Sequence, residues 1–262
     1  MSLLHASCEI DFKAEVPVPV ILMLRPRSGP AQWVSREEYV IEPRVQAIEY
    51  TDGFGNLCQR AIIPVGSTKL HASCIAETAD GVDTDMKAAY VPPQFLPDTI
   101  LQFLLPSRYC PSEQLGKLAL EIVGKAMPGF PQVEAVRTWI EKNVEYKYGT
   151  STTATTAADT ARDRVGVCRD FAHLGIALSR ALNIPARMVV GYALDLDEPD
   201  LHAWFEAYVG GRWYAFDATE KATSGNRITI AYGRDATDVA LVTQFGPLTL
   251  ERLKVSVGLA GK

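Results

Sequence analysis

Two adjacent glycines do most to limit how this chain folds. Gly210 and Gly211 separate His202–Val209 from Arg212–Asp217, two short runs rich in aromatic and other strand-forming residues. A two-glycine loop accepts the positive φ angles of a tight hairpin turn, and such a turn leaves the strands little freedom of register. Val209 then faces Arg212, Tyr208 faces Trp213, Glu206 faces Ala215 and Trp204 faces Asp217. Alternation sets His202, Trp204 and Glu206 on one face together with Trp213, Ala215 and Asp217. His202 and Asp217 become diagonal neighbours, about 7–8 Å apart at Cα, within reach of an imidazole–carboxylate hydrogen bond. One residue bulged at the glycines would slip the register and destroy the pairing.

A third group belongs with this pair. Gly166-Val167-Cys168 leads into a run where Phe171, Leu174, Leu178 and Leu182 recur at helical spacing, closed by Asn183-Ile184-Pro185. Cys168 therefore opens a helix, where unpaired amide N–H groups favour a thiolate. Taken alone, a cysteine is most often a small buried hydrophobe, a histidine at a strand end is satisfied by backbone, and an aspartate before Ala218-Thr219 is a turn residue. Together they fit the logic of a triad: Cys168 attacks an amide carbonyl, His202 moves the proton, and Asp217 fixes and supports the imidazole. The Cys168 amide is a candidate oxyanion donor; no side chain stands out as the second.

The rest of the chain frames this segment. To about Leu105 it reads as strands and turns: Val16–Leu24 as an edge strand because of Pro17 and Pro19, then Val45–Tyr50, a turn at 51–56, Leu57–Val65 and Leu70–Ala79. Short strands at this spacing predict a β-sandwich, with Val91–Pro97 as the following linker. Helical periodicity begins after Pro111, with Ser112 as cap and an apolar stripe from Leu115 to Ala126. A second helix starts near Pro131, 150–156 is a loop, and a short helix covers Ala157–Arg164. The expected division is residues 1–98 and 99–262.

A net charge of -5 with scattered basic residues argues against nucleic acid and anionic membrane as partners. No run is long and apolar enough for a membrane helix, and the first residues lack the apolar core of a signal peptide. Five cysteines without CxxC spacing suit reduced thiols, so a cytoplasmic location is expected; Cys8, Cys58, Cys74 and Cys110 have no base partner and read as inert.

Gly166-Val-Cys-Arg-Asp-Phe171, Ile184-Pro-Ala-Arg187, Gly191-Tyr192, His202-Ala-Trp204 and Trp213-Tyr-Ala-Phe-Asp217-Ala-Thr219 resemble the core of the bacterial transglutaminase-like superfamily. Leu105–Tyr109, Gly233–Ala240 and Asp52–Asn56 look like flanking segments of the same group. The resemblance implies an α+β papain-like core behind a β-sandwich, with Cys168, His202 and Asp217 as its catalytic triad. It implies a protein or peptide amide as substrate and an acyl-enzyme at Cys168. Hydrolysis and transfer to an amine share that intermediate and both stay open, hydrolysis being the expected outcome. A reading of another class is a non-catalytic binding module.

Smaller features get plainer readings. Tyr192 and Trp204 are candidate substrate-groove residues, against the default of core aromatics. His173 lies about 140° around the helix from Cys168 and reads as packing or support. Animal transglutaminases need calcium, but Asp195, Asp197, Glu198 and Asp200 lack the spacing of a calcium loop, and no zinc pattern exists; no metal or cofactor is expected.

Overall fold

The computed structural model describes residues 1–194, 196, 200–219 and 225–261. Six strands come first: β1 (Ser2–Ala14), β2 (Val18–Arg25), β3 (Gln32–Glu42), β4 (Ala47–Thr51), β5 (Leu57–Ile63) and β6 (Gly66–Thr78). Strict alternation builds them. Leu4, Ala6, Cys8, Ile10 and Phe12 of β1 are buried, as are Leu70, Ala72, Cys74 and Ala76 of β6. Next come α1 (Asp98–Leu101), α2 (Gly116–Val123), α3 (Phe130–Asn143), β7 (Glu145–Tyr146), α4 (Ala157–Asp163), β8 (Val165–Gly166) and α5 (Cys168–Ala181). The chain then forms β9 (Ala186–Ala193), β10 (Leu201–Val209), β11 (Arg212–Phe216), β12 (Arg227–Gly233), β13 (Val242–Gln244) and β14 (Leu248–Leu259). The class is α+β.

Two four-stranded sheets, ordered β14-β1-β6-β3 and β13-β2-β5-β4, make the β-rich region. The division at residue 98 therefore does not describe how the strands are shared. The last strand, β14, pairs with β1 along its length, and β13 pairs with β2. Nothing local to the sequence marks a strand whose partner lies at the other end of the chain. β2 is accordingly an interior strand rather than an edge: Pro17 falls before it, and the Pro19 carbonyl accepts from the Phe245 N–H at 2.9 Å.

The third sheet, antiparallel β11-β10-β9-β12, carries α5 on one face. Contact there is close enough to demand a glycine. A Cβ at Gly175 would lie 2.3 Å from Phe205 Cε1, and Phe205 in turn stacks on Phe216 at 5.6 Å. Residues 170–180 of α5 are all buried, packed also by α3 and α4. Ser112 opens a 3-10 turn and caps nothing; α2 begins only at Gly116. Thr156 caps α4 reciprocally with Asp159.

The two flanking segments meet behind α5. Buried Arg180 donates to the carbonyls of Leu105, Ala186 and Arg234 and to Ser107 Oγ, at 2.7–3.1 Å. Asp235 accepts from the Tyr109 and Thr237 amides, both at 2.9 Å, and the Ala236 N–H donates to His173 Nε2 at 3.1 Å. Burial pushes the His173 imidazole down to about 4, which keeps it a neutral acceptor stacked on Tyr109. The Gly233–Ala240 segment thus has a structural role: it fastens α5, the helix that Cys168 opens, from behind.

Candidate active site

Each strand-borne residue sits where the hairpin register puts it. Glu206 pairs with Ala215, Tyr208 with Trp213 and Val209 with Arg212, with both glycines at positive φ and no bulge. His202 Nε2 consequently lies 2.7 Å from Asp217 Oδ2, both residues 4% exposed.

Cys168 is the first residue of α5. Its amide is one of those at a helix start without an intrahelical acceptor. Asp170 completes the cap: its Oδ2 accepts the Val167 N–H at 3.0 Å. The entry is tight, since a Cβ at Gly166 would come 2.7 Å from Asp170 Cβ. Arg169 bonds Asp170 Oδ1, the Thr152 carbonyl and Ser151 Oγ, tying the loop at 150–156 to the helix start.

With Nε2 committed to Asp217, the other ring nitrogen of His202 is left for Cys168, which walls the same cavity. Burial alone would push the imidazole down. The Asp217 carboxylate and the Cys168 thiol outweigh burial and hold it up at about 9. Burial opposes ionisation of Asp217 too, but His202, Arg227 and the Thr219 amide bring it down to about 2. The charged imidazole–carboxylate pair is thus the resting state near neutral pH.

Two residues of this site, Arg227 and Tyr146, have no sequence signature. Arg227, at the start of β12, donates to Asp217 Oδ2 at 2.9 Å, and its guanidinium lies 5.2 Å from the Trp204 ring. Thr219 supplies the other carboxylate oxygen with its amide at 3.0 Å and its hydroxyl at 2.8 Å. Tyr146 is clamped in place by Glu145 N–H to the Arg164 carbonyl and Lys147 N–H to the Gly166 carbonyl, both 2.9 Å. Its ring packs edge-on against Phe171 at 5.6 Å, in the first turn of the helix that Cys168 opens. Only a pairing of β7 with β8 brings it there, and two-residue strands leave no periodicity to read.

A cavity of about 790 Å³ opens onto Cys168 and His202, walled by Tyr146, Phe171, Arg164 and Leu201 among others. Neither aromatic expected in the substrate groove lines it. Tyr192 is 1% exposed, on an interior strand covered on both faces, near Cys8 and Cys74. Trp204 is buried against His202, ring centroids 6.1 Å apart, and walls a different space of about 750 Å³ between the third sheet and the β-rich region. Of the acidic run weighed for calcium, Asp195, Asp197 and Glu198 lie outside the described residues, and Asp200 accepts the Leu201 N–H at 2.7 Å. Among the described residues no group of three His, Cys, Asp or Glu side chains is placed to hold a metal. No described helix is long and apolar enough to cross a membrane.

Comparison with known proteins agrees with this geometry. Residues 116–218 match the model of the transglutaminase-like superfamily, and residues 10–77 match the bacterial transglutaminase-like N-terminal region. The crystal structure of a candidate cysteine protease from Cytophaga hutchinsonii superposes with a TM-score of 0.92 at 35% identity, covering 100% of this chain and 91% of that one. An uncharacterised protein of Mycobacterium leprae is 27% identical over 231 residues, 83% of this chain and 82% of its own. One from Mycobacterium tuberculosis is 33% identical over 132 residues, 43% of this chain and 42% of its own. On its fold, the arrangement of its site and its likeness to these proteins, the chain belongs to the transglutaminase-like superfamily, with the bacterial N-terminal region preceding its core.

Proposed function

We propose that the protein is a thiol-dependent amidase or peptidase that forms an acyl-enzyme at Cys168. The observation that carries this reading is that Cys168 and His202 wall one open cavity, with Asp217 hydrogen-bonded to the imidazole of His202. The Cys168 thiolate attacks the substrate carbonyl carbon, and negative charge builds on the carbonyl oxygen. We assign the Cys168 amide and the Tyr146 hydroxyl as donors to that oxygen, because both residues wall the same cavity. His202 then protonates the departing amine, leaving a thioester. Water, deprotonated by His202, attacks the thioester and releases the acid.

Hydrolysis is favoured over transfer for two reasons. The cavity is open to water, and the Cytophaga relative, similar over the whole chain, is a candidate cysteine protease. The substrate inferred is a protein or peptide amide. All five cysteines are free thiols, which fits work in a reducing compartment such as the cytoplasm. The test is incubation with peptide and glutaminyl donors, with and without a labelled amine, beside Cys168→Ala. Acid product that depends on Cys168 is the expected result. Labelled amide forming faster than acid would replace hydrolysis with transfer, and turnover by Cys168→Ala would remove the proposal.

A further inference from the structure

Asp217 is shared by two cations. His202 Nε2 meets its Oδ2 at 2.7 Å, and Arg227 Nη2 donates to the same oxygen at 2.9 Å. Oδ1 is held separately, by the amide and hydroxyl of Thr219 at 3.0 and 2.8 Å. Thr219 thus fixes the carboxylate so that both cations meet one oxygen. Two bonds of these lengths to one atom put the guanidinium and imidazole nitrogens within about 6 Å of each other. Solvent does little to screen them, since the side chains of His202, Asp217 and Arg227 are 4%, 2% and 10% exposed.

Arg227 is also held in place. It pairs with Ala193 of β9 at the start of β12, and its guanidinium lies 5.2 Å from the Trp204 ring. Trp204 in turn stacks on His202, with planes 26° apart, so one aromatic ring braces both cations. The titratable and charged groups facing the imidazole or sharing its cavity are Cys168 on α5, Tyr146 and Glu145 on β7, Glu141 and Lys142 on α3, Arg164 at the end of α4, Asp200 ahead of β10, Asp217 and Arg227. Asp217 and Cys168 hold the proton on the ring. Among the described cations, Arg227 is the one that shares an oxygen with it. Like charge at this range opposes the protonated form.

The chemistry needs that opposition. His202 must carry a proton beside the thiolate and then give it to the departing amine, and an acid works best when its proton affinity lies near the working pH. We propose that Arg227 is a positioning residue of this site: by sharing Asp217 Oδ2 it weakens the hold of the carboxylate on the His202 proton, so that the imidazolium can release it to the leaving group. The inference rests on the reading of His202 as the proton carrier for Cys168.

NMR titration of His202 in protein with 13C-labelled imidazoles tests this, the signal being assigned by its loss in His202→Ala. Arg227→Gln keeps a hydrogen-bond donor for Asp217 and removes the charge, whereas Arg227→Lys keeps the charge. The His202 midpoint should rise by about one pH unit or more in Arg227→Gln and stay close to wild type in Arg227→Lys. Arg227→Met, whose apolar chain fills the same buried space, is the second charge-removing variant should Arg227→Gln not fold, with the same rise expected. A purely structural role would disturb all three without ordering the midpoints by charge. A midpoint that is unchanged or falls when the charge is removed, or an equal shift in Arg227→Lys, overturns the proposal. Cys168→Ala tests the underlying reading separately, because loss of the thiolate should lower the His202 midpoint. An unmoved midpoint there defeats the nucleophile reading, and the role of Arg227 in proton release with it, whatever the Arg227 variants show.

Discussion

Replacing Asp217 by asparagine keeps the shape of the site and removes its buried negative charge. Four hydrogen bonds depend on that carboxylate: from His202 at 2.7 Å, Arg227 at 2.9 Å, and the Thr219 amide and hydroxyl at 3.0 and 2.8 Å. Removing one partner of a buried ion pair costs about 3–5 kcal/mol, because the cations left behind lose their solvation and their counter-charge together. The sign of the pH dependence follows from the two shifted groups. His202, raised from 6.5 to about 9, contributes in full below pH 6.5 and loses its contribution as pH rises through 9. Asp217, lowered from 3.8 to about 2, contributes in full above pH 3.8 and loses it as pH falls through 2. Both shifts describe one pair and count once. The stability gap between wild type and Asp217→Asn is therefore widest between pH 3.8 and 6.5. There it should lower the melting temperature by roughly 6–12 °C for a chain of this size. The gap should narrow by up to about 3 kcal/mol towards pH 10 as the imidazole discharges. Thermal unfolding and urea titration from pH 5 to 10 measure it. A gap that stays constant over that range would refute the charged pair as its origin.

Further consequences follow from single contacts. Gly175→Ala must drive a methyl into Phe205, 2.3 Å away, and should destabilise by about 1–3 kcal/mol in urea titration. Because that shift moves α5, Cys168 reactivity should fall with it. Tyr146→Phe deletes the hydroxyl assigned as an oxyanion donor in the cavity of Cys168, and kcat should drop about 10²–10³-fold with KM little changed in a turnover assay. Burial pushes the thiols of Cys8, Cys74 and Cys110 up to about 12, so iodoacetamide should label them only when the protein unfolds, as a urea series with mass spectrometry would show.

The sequence was most informative where geometry is local. Gly210-Gly211 specified the β10–β11 register residue by residue, and with it the approach of His202 to Asp217. The helix start at Cys168 was equally legible, because Gly166, the apolar spacing and Asn183-Ile184-Pro185 bracket it. What escaped was non-local. β13 and β14 return to the first strands, which no periodicity announces, so the boundary at residue 98 misplaced them. Arg227 and Tyr146 reach the site from elements distant in the chain, and an isolated arginine or tyrosine carries no pattern. Tyr192 and Trp204 misled for the opposite reason. Both lie within the family motifs; alternation turns Tyr192 to the face opposite His202, whereas Trp204 shares the face of His202 but packs against that ring and walls the other space.

The central claim is that His202 activates Cys168. The most direct test is the rate of Cys168 alkylation by iodoacetamide against pH, resolved from the other four cysteines by peptide mass spectrometry, in wild type and His202→Ala. The account predicts that Cys168 is alkylated in the folded wild type near neutral pH, and that His202→Ala slows that reaction sharply while the buried thiols stay unlabelled in both proteins. Cys168 reacting as an ordinary thiol in the folded wild type, or identically in both proteins, would contradict it.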